Sequence, residues 1–541
     1  MPLDRDLQSL QEARDLVLRA YEAKHAFRFF TQEQVDKIVK AMADAGFASA
    51  EQLAKLAHEE TGFGKPADKR KKNEFATKRV WESIKDLKTV GVIHDDREKR
   101  MLEIAEPMGV VAALVPSTNP TSTLMFKAII SLKGRNAFVA SPHPKAVKCT
   151  LEATRIISEA AEAAGAPKGL INCMSIPTVE GTQELMKHKN VAVILATGSG
   201  PMVKAAYSAG KPAYGVGPGN VPAFIERTAN VRKAVADVVS GKMFDWGVLC
   251  STESAVIVDE PIKKQALDEF KRRGAYILSA EEMYRLSKLM FDEHGHLNPA
   301  VVGKAPHVIA QQAGFDVPHD TSVMIAELPA VGKEYPLSRE KLSPVLAMFT
   351  VNGWREGCER CIEMLEFGGL GHTMAIHSSD SEVILKFGLE KPANRILVNT
   401  QSALGAVGYT NELNPSMTLG PGTFGGSIIS ENVSAKHLIN IKRVAFETRP
   451  INPPENFQQH APATPKTELP NATLYHVAPS GKSWIEEIEE RIRLKAGNVL
   501  EKPRADAKKS DAPIKNTETP PPSPLMTPPA SEPAPKYGTG I

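Results

Sequence analysis

From Ile104 onward the chain alternates short apolar runs, each closed by turn residues, with segments whose apolar residues recur at helical spacing. Gly109-Val-Val-Ala-Ala-Leu-Val115 precedes a predicted helix near 121–133, and Asn136-Ala-Phe-Val-Ala140 precedes one near 144–164. Asn190-Val-Ala-Val-Ile-Leu195 then leads into a helix near 200–209. Parallel strands need a long crossover, and a helix is its usual form, so this alternation predicts an α/β fold with a doubly wound parallel sheet. A second αβ stretch runs over 222–412, with Glu253-Ser-Ala-Val-Ile-Val-Asp259 and Arg395-Ile-Leu-Val-Asn399 as its clearest strands. Ahead of both, Leu10, Leu16, Val17, Val35, Ile38, Val39 and Met42 mark two or three surface helices within 7–60.

At 541 residues the chain exceeds the roughly 250–300 at which single cores stop growing, so two or three domains are expected. Five scattered cysteines, an odd number, suit a reducing, cytoplasmic compartment better than a disulfide framework. A net charge of +3 with both signs intermixed implies no nucleic-acid partner. No basic leader with an apolar run opens the chain, and no apolar stretch reaches about 18 residues, so a soluble protein without membrane attachment is expected.

The chemistry is concentrated at four places. Cys250 closes Gly241-Lys-Met-Phe-Asp-Trp-Gly-Val-Leu-Cys250; Asn119 sits in the turn Val115-Pro-Ser-Thr118-Asn119-Pro120; Thr197-Gly198-Ser199 follows an apolar run; and Tyr214-Gly215-Val-Gly217-Pro-Gly219-Asn220 is glycine-rich. In this order the motifs resemble the aldehyde dehydrogenase superfamily over roughly residues 10–448, and most of all its coenzyme-A-acylating branch. The resemblance implies a Rossmann-type cofactor domain (1–221), an α/β catalytic thiol domain (222–412) and a return to the cofactor domain (413–450). It also implies a small oligomerisation strand extension, formed by 89–104 with Asn440 to Glu447, and hence a homodimer or homotetramer.

An aldehyde lacks a leaving group, so its oxidation by NAD first needs a nucleophile to build a tetrahedral carbon, and a thiolate does this well. The resemblance implies that Cys250 is that nucleophile and that the Asn119 amide and the Cys250 N–H stabilise the oxyanion. Thr118 and Phe424 are expected to line the aldehyde path, with a core aromatic as the competing reading of Phe424. Thr197, Gly198, Ser199 and Gly217 are expected beside the cofactor, and Glu340 on its nicotinamide ribose with Leu342 nearby. Ser141, Pro142 and His143 replace the Lys-Pro-Ser-Glu that grips the adenosine ribose in many relatives. NAD rather than NADP therefore rests on the resemblance, and the nucleotide end of coenzyme A is expected in the same shallow site.

The hydrolytic branch carries a glutamate that activates water where Gly215 is expected to stand here, so transfer of the acyl group to coenzyme A is expected instead. The alternatives are that Glu253 supplies the missing base, giving a free acid, or that the chain is a non-catalytic filament or scaffold member. His372, in Gly368-Gly-Leu-Gly-His372-Thr, reads as a proton relay for the coenzyme A thiol or as a structural histidine. Cys358 and Cys361 form a Cys-x-x-Cys without a second ligand pair, which reads as two helix positions and no metal site.

Beyond Pro450 the resemblance ends. Residues 451–481 read as a linker, and 482–499 as an amphipathic helix with Ser483 and Glu486 at capping-box spacing. Roughly a quarter of 500–541 is proline, a composition that predicts disorder. The helix resembles the encapsulation peptides that dock enzymes onto bacterial microcompartment shell proteins, against the reading that it folds back on its own subunit. Short aliphatic aldehydes, propionaldehyde or acetaldehyde, are then the expected substrates. No iron-dependent alcohol dehydrogenase domain is expected in a tail of this length.

Overall fold

The computed structural model describes residues 4–449 and 451, so nearly all of the linker, the helix expected over 482–499 and the tail lie outside the described residues. A five-stranded parallel sheet runs in the spatial order Ile171–Cys173, Ala137–Pro142, Val110–Val115, Val191–Thr197, Ala213–Val216. Val110–Val115 is buried at every residue, because helices cover both faces of the sheet and neither face can be polar. Chain order reverses between Val110–Val115 and Val191–Thr197. That reversal opens a crevice at their carboxyl ends, the usual position for a ligand in such sheets. Asn119 follows the first of these strands and Thr197 ends the second.

A second sheet has seven strands in the order Tyr276–Ile277, Met324–Glu327, Val345–Val351, Glu253–Asp259, Val221–Ile225, Met374–His377, Ile396–Val398. All its pairings are parallel. Gly217–Asn220 is the connector that leaves the carboxyl end of the first sheet and enters the amino end of the second. Cys250, Glu340, His372 and Arg395 each lie a few residues before one of this sheet's strands. One sheet therefore offers its carboxyl edge to the site and the other its amino edge.

Three antiparallel strands, Gly91–Asp96, Met101–Pro107 and Ile439–Ala445, form a separate small sheet with Met101–Pro107 in the middle. Residues 5–61 form three helices, Arg5–Phe27, Gln32–Ala48 and Ala50–Thr61. The second starts in a capping box between Thr31 and Gln34 and buries Val35, Ile38, Val39 and Met42, each of which stabilises the fold by about 1.5–3 kcal/mol. A further helix, Pro66–Glu74, runs on through a π-helical turn, Phe75–Arg79, into Val80–Ile84. Its composition reads as a solvated face, yet Asp68, Lys69, Lys72 and Asn73 on it are buried.

Candidate active site

The loop ahead of Cys250 is tightly bent. Asp245, Trp246 and Gly247 follow one another at φ 50°, 52° and 75°, a left-handed run that only glycine adopts without cost. A side chain at Gly247 is also precluded, since its β-carbon would lie 2.9 Å from the Ser343 carbonyl. The loop delivers Cys250 half-buried, whereas the other four cysteines are buried. Burial, and then the Glu340 carboxylate, push the Cys250 thiol up to about 12; Arg395 and the N–H groups of Cys250 and Ser251 pull the other way. The resting thiol is protonated at neutral pH.

Gly219 is where these groups meet. A β-carbon on it would lie 2.5 Å from the Cys250 carbonyl oxygen and 2.8 Å from the His372 ring. Its N–H donates to Glu340 Oε1 at 2.9 Å. Burial raises Glu340 to about 7, opposed by that bond and by Lys242 and Lys341. His372 is 1% exposed; its Nδ1 meets Thr373 Oγ1 at 3.0 Å and its Nε2 has no partner among the described residues. Burial and then Arg395 depress it to about 3. Arg395, which no motif singled out, donates to the His372 carbonyl at 2.6 Å and to Thr373 Oγ1 at 3.2 Å.

Asn119 takes the N-cap position of Pro120–Lys133 but does not cap it. Its Oδ1 accepts from Lys72 Nζ at 2.5 Å, and its Nδ2 donates to Thr118 Oγ1 at 3.1 Å. Thr118 is half-buried, with its carbonyl accepting from Lys69 Nζ at 3.1 Å. Lys69 and Lys72 both pair with Asp245, Lys69 at 3.2 Å. Burial lowers Lys72 to about 8 despite the Asp245 charge. Beside this cluster lies a cavity of about 390 Å³, walled by Lys72, Phe75, Phe244, Leu249, Tyr409 and Met417 among others.

A cleft of about 300 Å³ lies on the first sheet, with Ser141, Pro142 and His143 on one wall and Pro201, Met202 and Ala205 on the other. Ser141 Oγ pairs with Thr182 Oγ1 at 2.8 Å, and burial lowers His143. The Thr197 hydroxyl is buried without a partner among the described residues, and Ser199 precedes the helix Gly200–Tyr207 without a side-chain cap. Gly217 faces open space.

Residues 6–279, just over half the chain, match the model of the aldehyde dehydrogenase family. The chain belongs to the aldehyde dehydrogenase family. Among solved structures it resembles an acetylating aldehyde dehydrogenase from Geobacillus thermoglucosidasius, with TM-score 0.82, 53% identity, and coverage of 83% of this chain and 99% of that one. It also resembles Rhodopseudomonas palustris propionaldehyde dehydrogenase, solved with bound CoA and an acylated cysteine, at TM-score 0.72 and 27% identity, covering 80% of this chain and 97% of that one. The bifunctional aldehyde-alcohol dehydrogenase AdhE of Escherichia coli strain K12 is 43% identical over 442 residues, 81% of this chain and 50% of that protein. The chain spans about half the length of the aldehyde-alcohol dehydrogenases it matches.

In this family member several expected residues stand elsewhere than the motifs suggested. Gly215 lies in Ala213–Val216, and its β-carbon would fall 2.5 Å from the Tyr207 hydroxyl and 2.6 Å from Val203. A side chain there meets the Tyr207 and Val203 side chains of the helix Gly200–Tyr207 at its first carbon, so that helix face would have to give way to it. Gly219 is the glycine packed on the thiol loop. Phe424 is 57% exposed on the turn Thr423–Gly425 and does not line the cavity beside Leu249. Leu342, at φ 44°, packs with Phe63, Val248 and Val302 beneath the thiol loop. Burial and the Arg395 charge depress the His372 imidazole, so it stands neutral in the resting protein. Glu253 is fully buried and accepts from the Ser402 N–H at 2.5 Å, so it does not stand free as a base. Cys358 and Cys361 lie buried on the helix Trp354–Gly368.

Proposed function

We propose that the chain oxidises a short aliphatic aldehyde, propionaldehyde or acetaldehyde, to its acyl-CoA, reversibly, through a thioester on Cys250. The observation that carries this reading is a half-buried thiol on a loop packed against Gly219 and His372, in a member of the aldehyde dehydrogenase family 53% identical to an acetylating aldehyde dehydrogenase. Cys250 gives up its proton to solvent and adds to the carbonyl carbon, and the Asn119 amide with the Cys250 N–H receives the developing negative oxygen; the carbonyl would re-form as the carbon's hydrogen leaves as hydride to the acceptor that NAD supplies, leaving the acyl thioester on Cys250. The thiol of coenzyme A, itself a strong nucleophile, then displaces the acyl group from Cys250 without needing a base for water. The cavity beside Leu249 is the aldehyde pocket in this reading.

The cleft at Ser141–His143 fits a nicotinamide dinucleotide. Its walls are apolar enough for a base, the uncapped helix Gly200–Tyr207 presents N–H groups to a diphosphate, and the Thr197 hydroxyl lacks a partner among the described residues. NAD, when bound, supplies the hydride acceptor, with Glu340 holding its ribose. The nucleotide end of coenzyme A takes the same cleft once reduced cofactor has left. Competition between the two in equilibrium binding supports this sharing, and independent simultaneous binding overturns it.

The deciding assay follows NADH formation with a series of short aldehydes, each with and without coenzyme A, for the parent and Cys250→Ala. Sustained turnover only with coenzyme A, an acyl adduct on Cys250 by mass spectrometry and no turnover in Cys250→Ala are expected. Full-rate formation of the free acid without a thiol acceptor overturns the reading.

Two assignments concern assembly. The small sheet, with Ile441, Val444 and Phe446 exposed, joins subunits into a homodimer or homotetramer. Residues 482–499 dock the enzyme on a microcompartment shell protein within the cytoplasm, supported by their amphipathic pattern beyond a linker. Co-purification with shell proteins before and after deleting 475–541 tests the second, and unchanged association overturns it.

A further inference from the structure

We propose that Lys72 is a positioning residue that locks the Asn119 amide with its N–H end toward the oxyanion, and that Asp245 ties this lock to the loop carrying Cys250. An ammonium donates and never accepts, so the atom of Asn119 that meets Lys72 Nζ at 2.5 Å is its carbonyl oxygen. The amide nitrogen is thereby turned the other way. One of its hydrogens goes to Thr118 Oγ1, and the second has no partner among the described residues. Without Lys72 the amide is free to rotate, and asparagine at an N-cap ordinarily turns its oxygen onto the helix N–H groups. That cap is missing here.

The second half of the lock is the loop. Asp245 is fully buried, pairs with both Lys69 and Lys72, and accepts from the Lys65 N–H at 2.6 Å. Its own N–H donates to Asp68 at 2.9 Å. The carboxylate that neutralises Lys72 thus belongs to the left-handed run that precedes the thiol. The helix Pro66–Glu74 sets the amide and braces the nucleophile's loop through the same side chains, so a shift of one is felt by the other.

This inference rests on the thioester chemistry proposed above, and the test separates the two. The burst of NADH without coenzyme A isolates formation of the acyl-enzyme. Asn119→Ala is expected to slow it about 100-fold. Lys72→Met is expected to slow it about 10–30-fold with little change in aldehyde KM, and by less than about threefold when Asn119 is already alanine. Lys72→Gln, which keeps a donor for Oδ1, is expected to fall between parent and Lys72→Met. Circular dichroism and thermal melts of each variant confirm folding, and if Lys72→Met does not fold, Lys72→Gln carries the same cycle. Losses that multiply in the double variant, an unchanged burst in Lys72→Met, or equal losses in the Met and Gln variants overturn the positioning role. A parent enzyme that gives no burst and no Cys250 adduct overturns the proposed function itself.

Discussion

Gly219 and Cys250 are packed so closely that the space for a β-carbon on one is occupied by the carbonyl oxygen of the other, at 2.5 Å. The obstructing atom is backbone, so it cannot rotate away as a side chain could. Gly219→Ala is therefore expected to shift the thiol or the His372 ring by several tenths of an ångström. A displacement approaching 1 Å at a reacting atom costs about 100-fold. Steady-state kcat/KM with aldehyde and coenzyme A checks this, and a loss below threefold refutes the packing account.

Glu340 acts on the thiol through its charge. Its carboxylate is among the causes that hold the Cys250 thiol up at about 12. A negative charge disfavours the thiolate, so removing it favours ionisation. Glu340→Gln is expected to move the pH profile of Cys250 alkylation by iodoacetamide to lower pH in the free enzyme. An unmoved profile shows that the two groups do not communicate.

Glu253 lies under the helix Val231–Met243, against Gly241, with one oxygen on the Ser402 N–H and the other without a partner among the described residues. Burial raises its carboxyl from 4.5 to about 7. Between those values the folded protein holds a proton that the unfolded chain has lost, so this group's contribution to stability falls as pH rises from 4.5 to 7 and levels off above. Glu253→Gln removes that term. The Tm advantage of the variant over the parent is expected to widen from pH 5 to pH 7.5, and a constant difference counts against the shift.

Gly215 yields a prediction opposite to the one its motif suggests. Its β-carbon faces Tyr207 and Val203, so Gly215→Glu is expected to destabilise the fold through overpacking by about 1–3 kcal/mol, read as a lower Tm, and to create no hydrolytic activity. Carboxylic acid release without coenzyme A, measured beside the parent, checks this. New acid formation places that side chain at the thiol after all.

The strands Val110–Val115, Ala137–Pro142, Val191–Thr197 and Glu253–Asp259 were readable because burial on both faces leaves each with an apolar run, whereas the short Ile171–Cys173 and Ala213–Val216 carry too little pattern to be seen. Cys250 and Asn119 could be picked out because each sits close to glycines or prolines that bend the chain, whereas Glu340, which reads alone as a solvated charge, came only from the family resemblance. Lys72 could not. Pro66-Ala-Asp-Lys-Arg-Lys-Lys-Asn-Glu74 carries a density of charge that describes a solvated surface, and nothing in it separates the exposed Lys71 from the buried Lys69 and Lys72. What distinguishes them is a carboxylate 173 residues from Lys72, brought close only by the fold. Arg395 was hidden for the same reason, standing at the head of a strand where only its tertiary partners reveal it. The orientation of Gly215 escaped as well, since glycine shows no side chain whose direction a pattern could follow.

The cavity beside Leu249 takes no wall residue from any β-strand, whereas the cleft at Ser141–His143 includes Leu114, Ser141 and Pro142, which belong to strands of the first sheet. On the proposed function, recognition of the nucleotide is thereby welded to the scaffold, while the surroundings of the aldehyde tail hang on helices and loops. Evolution, or a protein engineer, is free to retune chain length at Phe75, Tyr409 or Met417 and leave the sheets undisturbed.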